Sequence, residues 1–189
     1  MIKSICIATA MVIGASTAAQ AAESYTIDSN HTYPVFEVKH LGFSTQRGRF
    51  NKSSGKIMLD VAAKSGSVDL KVDAGSVDMG FEKWDKHMLS ADFFDAGKYP
   101  DITFKSSKLI FDGDNVVGAE GDLTLHGVTK PVTLAASGFR CGEHPILKKT
   151  VCGIDTTVTI KRSDFGMKYG IPAIGDDIKL NIPVEAIKD

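Results

Sequence analysis

The sequence predicts an all-β protein: an antiparallel sheet of about eight or nine strands with one short helix. Three observations carry this. Apolar and polar residues alternate in segment after segment, turn residues sit between the segments, and helical spacing is clear in one place. Taken in order, Phe36 and Val38 flank Glu37, and His40-Leu41-Gly42-Phe43 closes that strand. Ile57, Leu59 and Val61 interleave with Lys56, Met58 and Asp60, and Val68, Leu70 and Val72 with Asp69, Lys71 and Asp73. Ile102 and Phe104 alternate with Thr103 and Lys105, Leu123 and Leu125 with Asp122 and Thr124, and Val132 and Leu134 with Thr133. Val158 and Ile160 alternate with Thr157, Thr159 and Lys161. Ile178, Leu180, Ile182 and Val184 close the series. Period two of this kind gives each strand one wet and one dry face. Turns are expected at Ser65-Gly66, Asp112-Gly113-Asp114-Asn115, His126-Gly127, Cys141-Gly142 and Gly175-Asp176.

The helix is expected at Phe81, Trp84, Met88 and Leu89, which fall on one stripe at helical spacing. One helix cannot cover the dry faces of so many strands. The sheet must therefore cover itself, as a sandwich or as a closed barrel. Periodicity fits both; the barrel is the expected form, and about eight strands leave room for one slender ligand.

Residues 1–21 have the make-up of a secretory signal: Lys3, an apolar run from Ile5 to Ile13, then Ala19-Gln20-Ala21 at the cleavage position. The run is too short to span a membrane. One domain is expected over residues 22–189, exported and periplasmic. Lys3 is the only charged residue of the signal, so its removal takes the net charge from −1 to about −2. That balance argues against nucleic acid and against an anionic membrane surface as the main partner. Cys6 leaves with the signal. Cys141 and Cys152 then form an even pair, expected as a disulfide in an oxidising compartment.

Motifs for chemistry are sparse. His31, His40, His87, His126 and His144 show no HxH or HxxxH spacing, so no metal site is expected. There is no GxSxG elbow, and Ser29-Asn30-His31 and Arg162-Ser163-Asp164 have no ordered catalytic partner. Aromatic residues, by contrast, are too many for surface decoration. They line either a packed core or a lumen for an apolar molecule; alternation reads the same for both. In the second case the lining candidates are Phe36, Val38, Phe43, Phe50, Ile57, Leu59, Trp84, Met88, Phe93, Phe94, Ile102, Phe104, Leu123, Leu125, Leu134, Ile160, Phe165 and Leu180. His40, Arg49, His87 and Arg162 are the candidates for a polar mouth.

Several segments stand in a distinctive order and spacing: Tyr25-Thr26-Ile27-Asp28, His31 followed by Val35 to Gly42, Gly48-Arg49-Phe50, and Asp85-Lys86-His87 with Ser90-Ala91-Asp92-Phe93-Phe94. Tyr99-Pro100 with Phe104, Gly121 to Val132, Arg162 to Met167 and Val184-Glu185-Ala186 continue the series over nearly the whole mature chain. Together they resemble the YceI-like family of exported lipid-binding proteins. The resemblance implies a lipocalin-like barrel whose apolar tunnel holds a polyisoprenoid chain, such as a prenyl lipid or a quinone tail. It implies binding rather than catalysis, a bacterial periplasmic or secreted location, no cofactor, and for some members a role in stress. Two departures stand out. Trp84 and Met88-Leu89 make the Asp-x-His-Leu region more apolar than the arginine-bearing form many members have. Cys141 to Gly153 replaces an Asp-Pro-Trp-Gly and Arg-x-Gly-Phe stretch, keeping only Pro145 and Gly153. This leaves a less charged ligand, or another basic residue such as Lys148 or Lys149, in place of that arginine.

The reading is thus an isoprenoid or isoprenoid-quinone carrier without stable membrane insertion, with a homodimer open. An enzyme acting on an amphiphile, or a packed β-domain without ligand, are the alternatives.

Overall fold

The computed structural model describes residues 22–189; the signal expected over residues 1–21 lies outside the described residues. Its strands are β1 (Glu23–Ile27), β2 (Val35–His40), β3 (Ser44–Phe50), β4 (Ser53–Asp60), β5 (Ser65–Asp73) and the short β6 (Val77–Asp78). After the helix α1 (Glu82–Met88) come β7 (Asp101–Asp112), β8 (Asn115–Leu125), β9 (Val128–Glu143), β10 (Thr150–Lys161) and β11 (Ile174–Lys188). Every ladder is antiparallel. The order β1-β4-β5-β7-β8-β9-β10-β11 returns to β1, so eight strands close a barrel. The self-covering sheet expected from the alternation is therefore a barrel, not a sandwich.

Closure depends on the length of β11. Its C-terminal residues Ala186–Lys188 pair with β1, while Ile174 to Asn181 pair with β2 on the same edge. From there β2, β3 and β6 continue as a flap. One end of the barrel is thus walled by β1 and the other by the flap. Gly48 shows how tightly the flap packs: a Cβ there would lie 2.3 Å from Met79 Sδ and 2.5 Å from the Phe36 ring.

Two turns form as expected. Gly113-Asp114 joins β7 to β8, and His126-Gly127 joins β8 to β9 with both residues at positive φ (51° and 74°), the conformation that matches strand twist. Three expected turns are corrected. The chain reverses at residues 61–64 rather than at Ser65-Gly66, which opens β5. Cys141-Gly142 lies inside β9, and its reversal comes at residues 144–149. Gly175-Asp176 sits within an irregular stretch of the β11–β2 ladder. Turn composition alone does not reveal whether a glycine sits at a reversal or within a continuing ladder: Gly66 and Gly142 are paired in register, and Gly175 lies where the register shifts.

Bulges also reset which residues point inward. The β7–β8 register shifts between Lys105 and Lys108, where the buried Ser106 hydroxyl donates to the Lys108 carbonyl at 3.0 Å. Inward residues therefore change from Ile102 and Phe104 to Leu109. Gly138, at φ 71°, bulges β9 against β10 in the same way.

The disulfide Cys141–Cys152 is formed and joins directly opposed residues of β9 and β10. Two apolar clusters fill the interior. One gathers around Phe36, Phe50, Phe94, Phe104 and Phe165. A smaller one surrounds Tyr25, Leu59, Val116, Cys152 and Ala186.

Candidate functional site

The inward residues of each strand divide in order between two compartments stacked along the barrel. The larger holds about 350 Å³. The smaller holds about 90 Å³. On β10 the larger takes Val158 and Ile160, followed by Arg162 just past the strand's end, and the smaller takes Cys152, Ile154 and Thr156. On β11 they divide at Ile182. Leu70, Phe104, Leu134 and Ile182 belong to both walls and form the waist between them. The larger volume lies in the range of about 300–1,000 Å³ typical of small-ligand sites.

The expected lining residues distribute as follows. Phe36, Val38, Phe50, Ile102, Leu123 and Leu125 line the larger compartment. So do Trp84, Met88, Phe93, Phe94, Ile160 and Leu180. Ile57 and Leu59 line the smaller one, and Phe104 and Leu134 stand at the waist. Two aromatic residues depart from expectation. Phe43 is 89% exposed. Even-numbered residues of β3 (Gln46, Gly48, Phe50) face inward, so Phe43, beside the Leu41-Gly42 turn, falls on the outer side. Phe165 is 2% exposed but lies in the 3-10 turn Arg162–Phe165, outside the cavity lining. Its carbonyl contacts His126 Nδ1 at 3.2 Å.

The polar candidates separate too. His40 and His87 line the larger compartment. The His40 ring stands 6.5 Å from Trp84. The His87 ring packs edge-on against Phe93 at 5.0 Å and Tyr169 at 5.6 Å, and its Nε2 lies 3.1 Å from Asp92. Arg49 shares the outward parity of Phe43; its guanidinium lies over the Tyr33 ring at 5.2 Å and not in the cavity. Arg162 reaches the lining but is 3% exposed. Its guanidinium donates to the carbonyls of Gly175 (2.8 Å), Met167 (3.1 Å), Tyr169 (2.8 Å) and Ile174 (3.0 Å). It fastens residues 167–175 to the barrel instead of offering a free charge. Burial lowers its pKa from the ordinary arginine value.

Sequence reasoning left out Leu70, Val72, Val132, Val158, Ile178 and Ile182, all in the larger wall. Their alternation was visible and could have included them. Met79, Met167, Tyr169 and Ile174 also line it from loop or strand-end positions, where no periodicity marks them.

Chemically, the larger compartment is an apolar sleeve with a few polar groups, of which Arg162 is already committed to backbone carbonyls. Among the described residues its lining includes no carboxylate, serine or cysteine. Ser163 is occupied elsewhere: its backbone N–H and hydroxyl donate to Asp176 at 2.9 and 2.8 Å.

The YceI-like domain matches residues 25–186. The chain belongs to the YceI-like family. Among curated relatives, a UPF0312 protein of Vibrio parahaemolyticus is 38% identical over 189 residues, covering 97% of this chain and 95% of its own. A UPF0312 protein of Pseudomonas paraeruginosa is 36% identical over 192 residues, covering both chains fully at 100%. Of solved structures, Campylobacter jejuni YceI superposes with a TM-score of 0.69 at 33% identity, covering 80% of this chain and 90% of its own. A polyisoprenoid-binding domain of Saccharophagus degradans shares the fold, with a TM-score of 0.67 at 17% identity over 88% of this chain and 99% of that one.

At the β1–β11 seam of this YceI-like barrel, Asp28, His31 and Glu185 gather. Asp28 Oδ2 lies 2.7 Å and Glu185 Oε2 3.9 Å from His31 Nδ1. The shared nitrogen makes this an ion-paired cluster. It lowers the Asp28 pKa, first through the His31 hydrogen bond, and raises that of His31 through the same bond.

Proposed function

We propose that this YceI-like protein is an exported, periplasmic carrier that holds a polyisoprenoid lipid or an isoprenoid quinone tail inside its barrel. The observation that carries the reading is the two-compartment apolar interior, narrowed but not interrupted in its apolar lining at Leu70, Phe104, Leu134 and Ile182. An isoprenoid tail in water costs about 25 cal/mol per Å² of exposed apolar surface, and a dry sleeve removes that cost. Each unit buried adds favourable transfer energy before ordering losses, so long chains should win over short ones. The tail enters past His40 and His87, whose ring nitrogens meet the head group. The same barrel architecture in a domain described as polyisoprenoid-binding supports the reading at the level of fold.

Native mass spectrometry of protein purified from its host, with organic extraction of what co-purifies, tests it. The expected result is a bound prenyl lipid or quinone. A clean ligand-free mass, with no uptake from a panel of prenols and quinones, refutes the carrier reading. Trp84 lines the cavity and is 40% exposed, so its emission should shift on binding.

A further inference from the structure

The larger compartment opens among three segments that put apolar side chains into solvent. On the β2–β3 turn, Leu41 is half exposed and Phe43 is nearly free of cover. At the start of α1, Phe81 is 58% exposed and Trp84 is open on its outer side. Tyr169 is half exposed on the segment between Gly166 and Ile174. The segments adjoin. The Leu41 N–H donates to the Ala173 carbonyl at 2.7 Å, the His40 and Trp84 rings stand 6.5 Å apart, and the His87 and Tyr169 rings 5.6 Å apart. An apolar rim of this kind around a cavity mouth marks a surface built to meet something.

We propose that this rim docks on a phospholipid membrane, with Leu41, Phe43, Phe81 and Trp84 entering the interface and Lys83 and Lys168 facing anionic headgroups. Three features favour a lipid surface over a second protein. The apolar groups sit as separate knobs on two turns and a helix start, which suits insertion between headgroups better than flat packing. Trp84 and Tyr169 are residue types that settle at the membrane interface. The net charge of the chain is slightly negative and argues against an anionic membrane as a whole-protein attraction, but among the described residues Lys83 and Lys168 have no carboxylate within 4.0 Å, so at the rim their local charge is open to headgroups. The rim is also continuous with the cavity, because Trp84 and Tyr169 belong to both. A tail could then pass between bilayer and barrel without crossing water. That purpose rests on the carrier reading; the docking itself does not.

The test is co-flotation of the protein, purified from its host, with vesicles of phosphatidylethanolamine and phosphatidylglycerol, and separately with vesicles of phosphatidylcholine. Binding is expected to both and stronger to the anionic set. Phe43→Asp lies outside the cavity and should reduce partitioning roughly tenfold or more. Prenol uptake from detergent micelles, read by native mass spectrometry, should stay unchanged. Lys83→Glu with Lys168→Glu should remove the preference for anionic vesicles. Wild-type protein that does not float, or a Phe43→Asp variant that floats equally well, overturns the proposal. So does sedimentation showing a dimer that Phe43→Asp dissociates without wild-type flotation, since the rim would then be a protein interface. Flotation without prenol uptake leaves docking standing and refutes the carrier; uptake without flotation does the reverse.

Discussion

Where β1 bridges β4 and β11, the barrel wall is an unbroken ladder; where β2 takes over the same edge of β11, it becomes a flap roofed by a seven-residue helix. The β1 end encloses about 90 Å³. It is stapled by Cys141–Cys152 and ringed by ion pairs such as Lys188–Glu23 and Lys56–Asp189. The flap end encloses about 350 Å³ and is closed by side chains on loops. Its aromatic residues form two packed groups, Phe36–Phe50–Phe94 and His87–Phe93–Tyr169, edge-on in every pair but the tilted Phe36–Phe50. Backbone hydrogen bonds resist opening cooperatively, whereas loop-borne side chains can part locally. One fold therefore combines a rigid base with a mouth able to yield to a ligand.

The largest test of that contrast is at Arg162, whose guanidinium fastens residues 167–175 at the mouth. Arg162→Ala leaves four carbonyls that had shared a buried cation. We expect about 3–5 kcal/mol of destabilisation in urea unfolding. Arg162→Lys should recover only part of it, because an ammonium cannot reproduce the fork. A loss below about 1 kcal/mol would mean that residues 167–175 are held by something else.

At the opposite end, replacing Cys141 and Cys152 together by alanine should cost about 2–3 kcal/mol, as expected for a loop with a sequence separation of 11. The loss should be local in effect: faster hydrogen exchange near the tips of β9 and β10, with ligand uptake at the mouth unchanged. Impaired uptake would show that the two ends are coupled and the base is not independent.

The two ends also differed in how far they could be read from sequence. Strands such as β5 and β11 announce themselves, because each has one face in the interior and period two follows. The pairing of Cys141 with Cys152 is legible for a different reason, the count of cysteines outside the expected signal of residues 1–21. The β3 strand, Ser-Thr-Gln-Arg-Gly-Arg-Phe, was not seen as a strand, because its inward positions are Gln46, Gly48 and Phe50 and only one is plainly apolar. That omission put Phe43 and Arg49 on the wrong side of the wall. The stripe Phe81, Trp84, Met88 and Leu89 did give the helix, but spacing could not show that Phe81 faces solvent while Met88 faces the cavity. Tyr169 was invisible for the same reason as Arg162's true role: both depend on where a loop returns in space.

A third prediction concerns the waist. Ala136 lines the smaller compartment, and Ala136→Phe should fill much of it. Long prenols should lose about 1–2 kcal/mol of binding while short ones, housed in the larger compartment, keep theirs. Equal losses for both would mean that chains do not reach past Leu70, Phe104, Leu134 and Ile182.

The smallest effect is electrostatic and belongs to the β1 end. The Glu23 carboxyl is lowered first by the Lys188 hydrogen bond and then by the Tyr25 hydroxyl. The Asp189 carboxyl is lowered first by Lys56, then by Ser24 and Thr26. Asp28 is lowered by His31. Each of these carboxyls binds fewer protons in the folded than in the unfolded chain below the ordinary carboxylate value. Their contribution is therefore complete above that value and is lost as pH falls through the lowered folded pKa. His31, raised by Asp28, acts in the opposite sense: its contribution is present below the ordinary histidine value and fades as pH rises through the raised one. Tyr25, pushed up to about 12 by burial, adds a contribution that disappears only in strong alkali. Glu23, Asp189 and His31 keep a third or more of their side chains exposed and are open to salt screening, while Asp28 is more covered, so the acid effect should be modest and weaker at high ionic strength. Chemical denaturation across the acid range should show stability falling with pH, and Asp189→Asn should flatten part of that slope. A slope unchanged by Asp189→Asn would show that the pairs around β1 do not report on global unfolding. A slope removed instead by substitutions at the mouth would reverse the assignment of the rigid end.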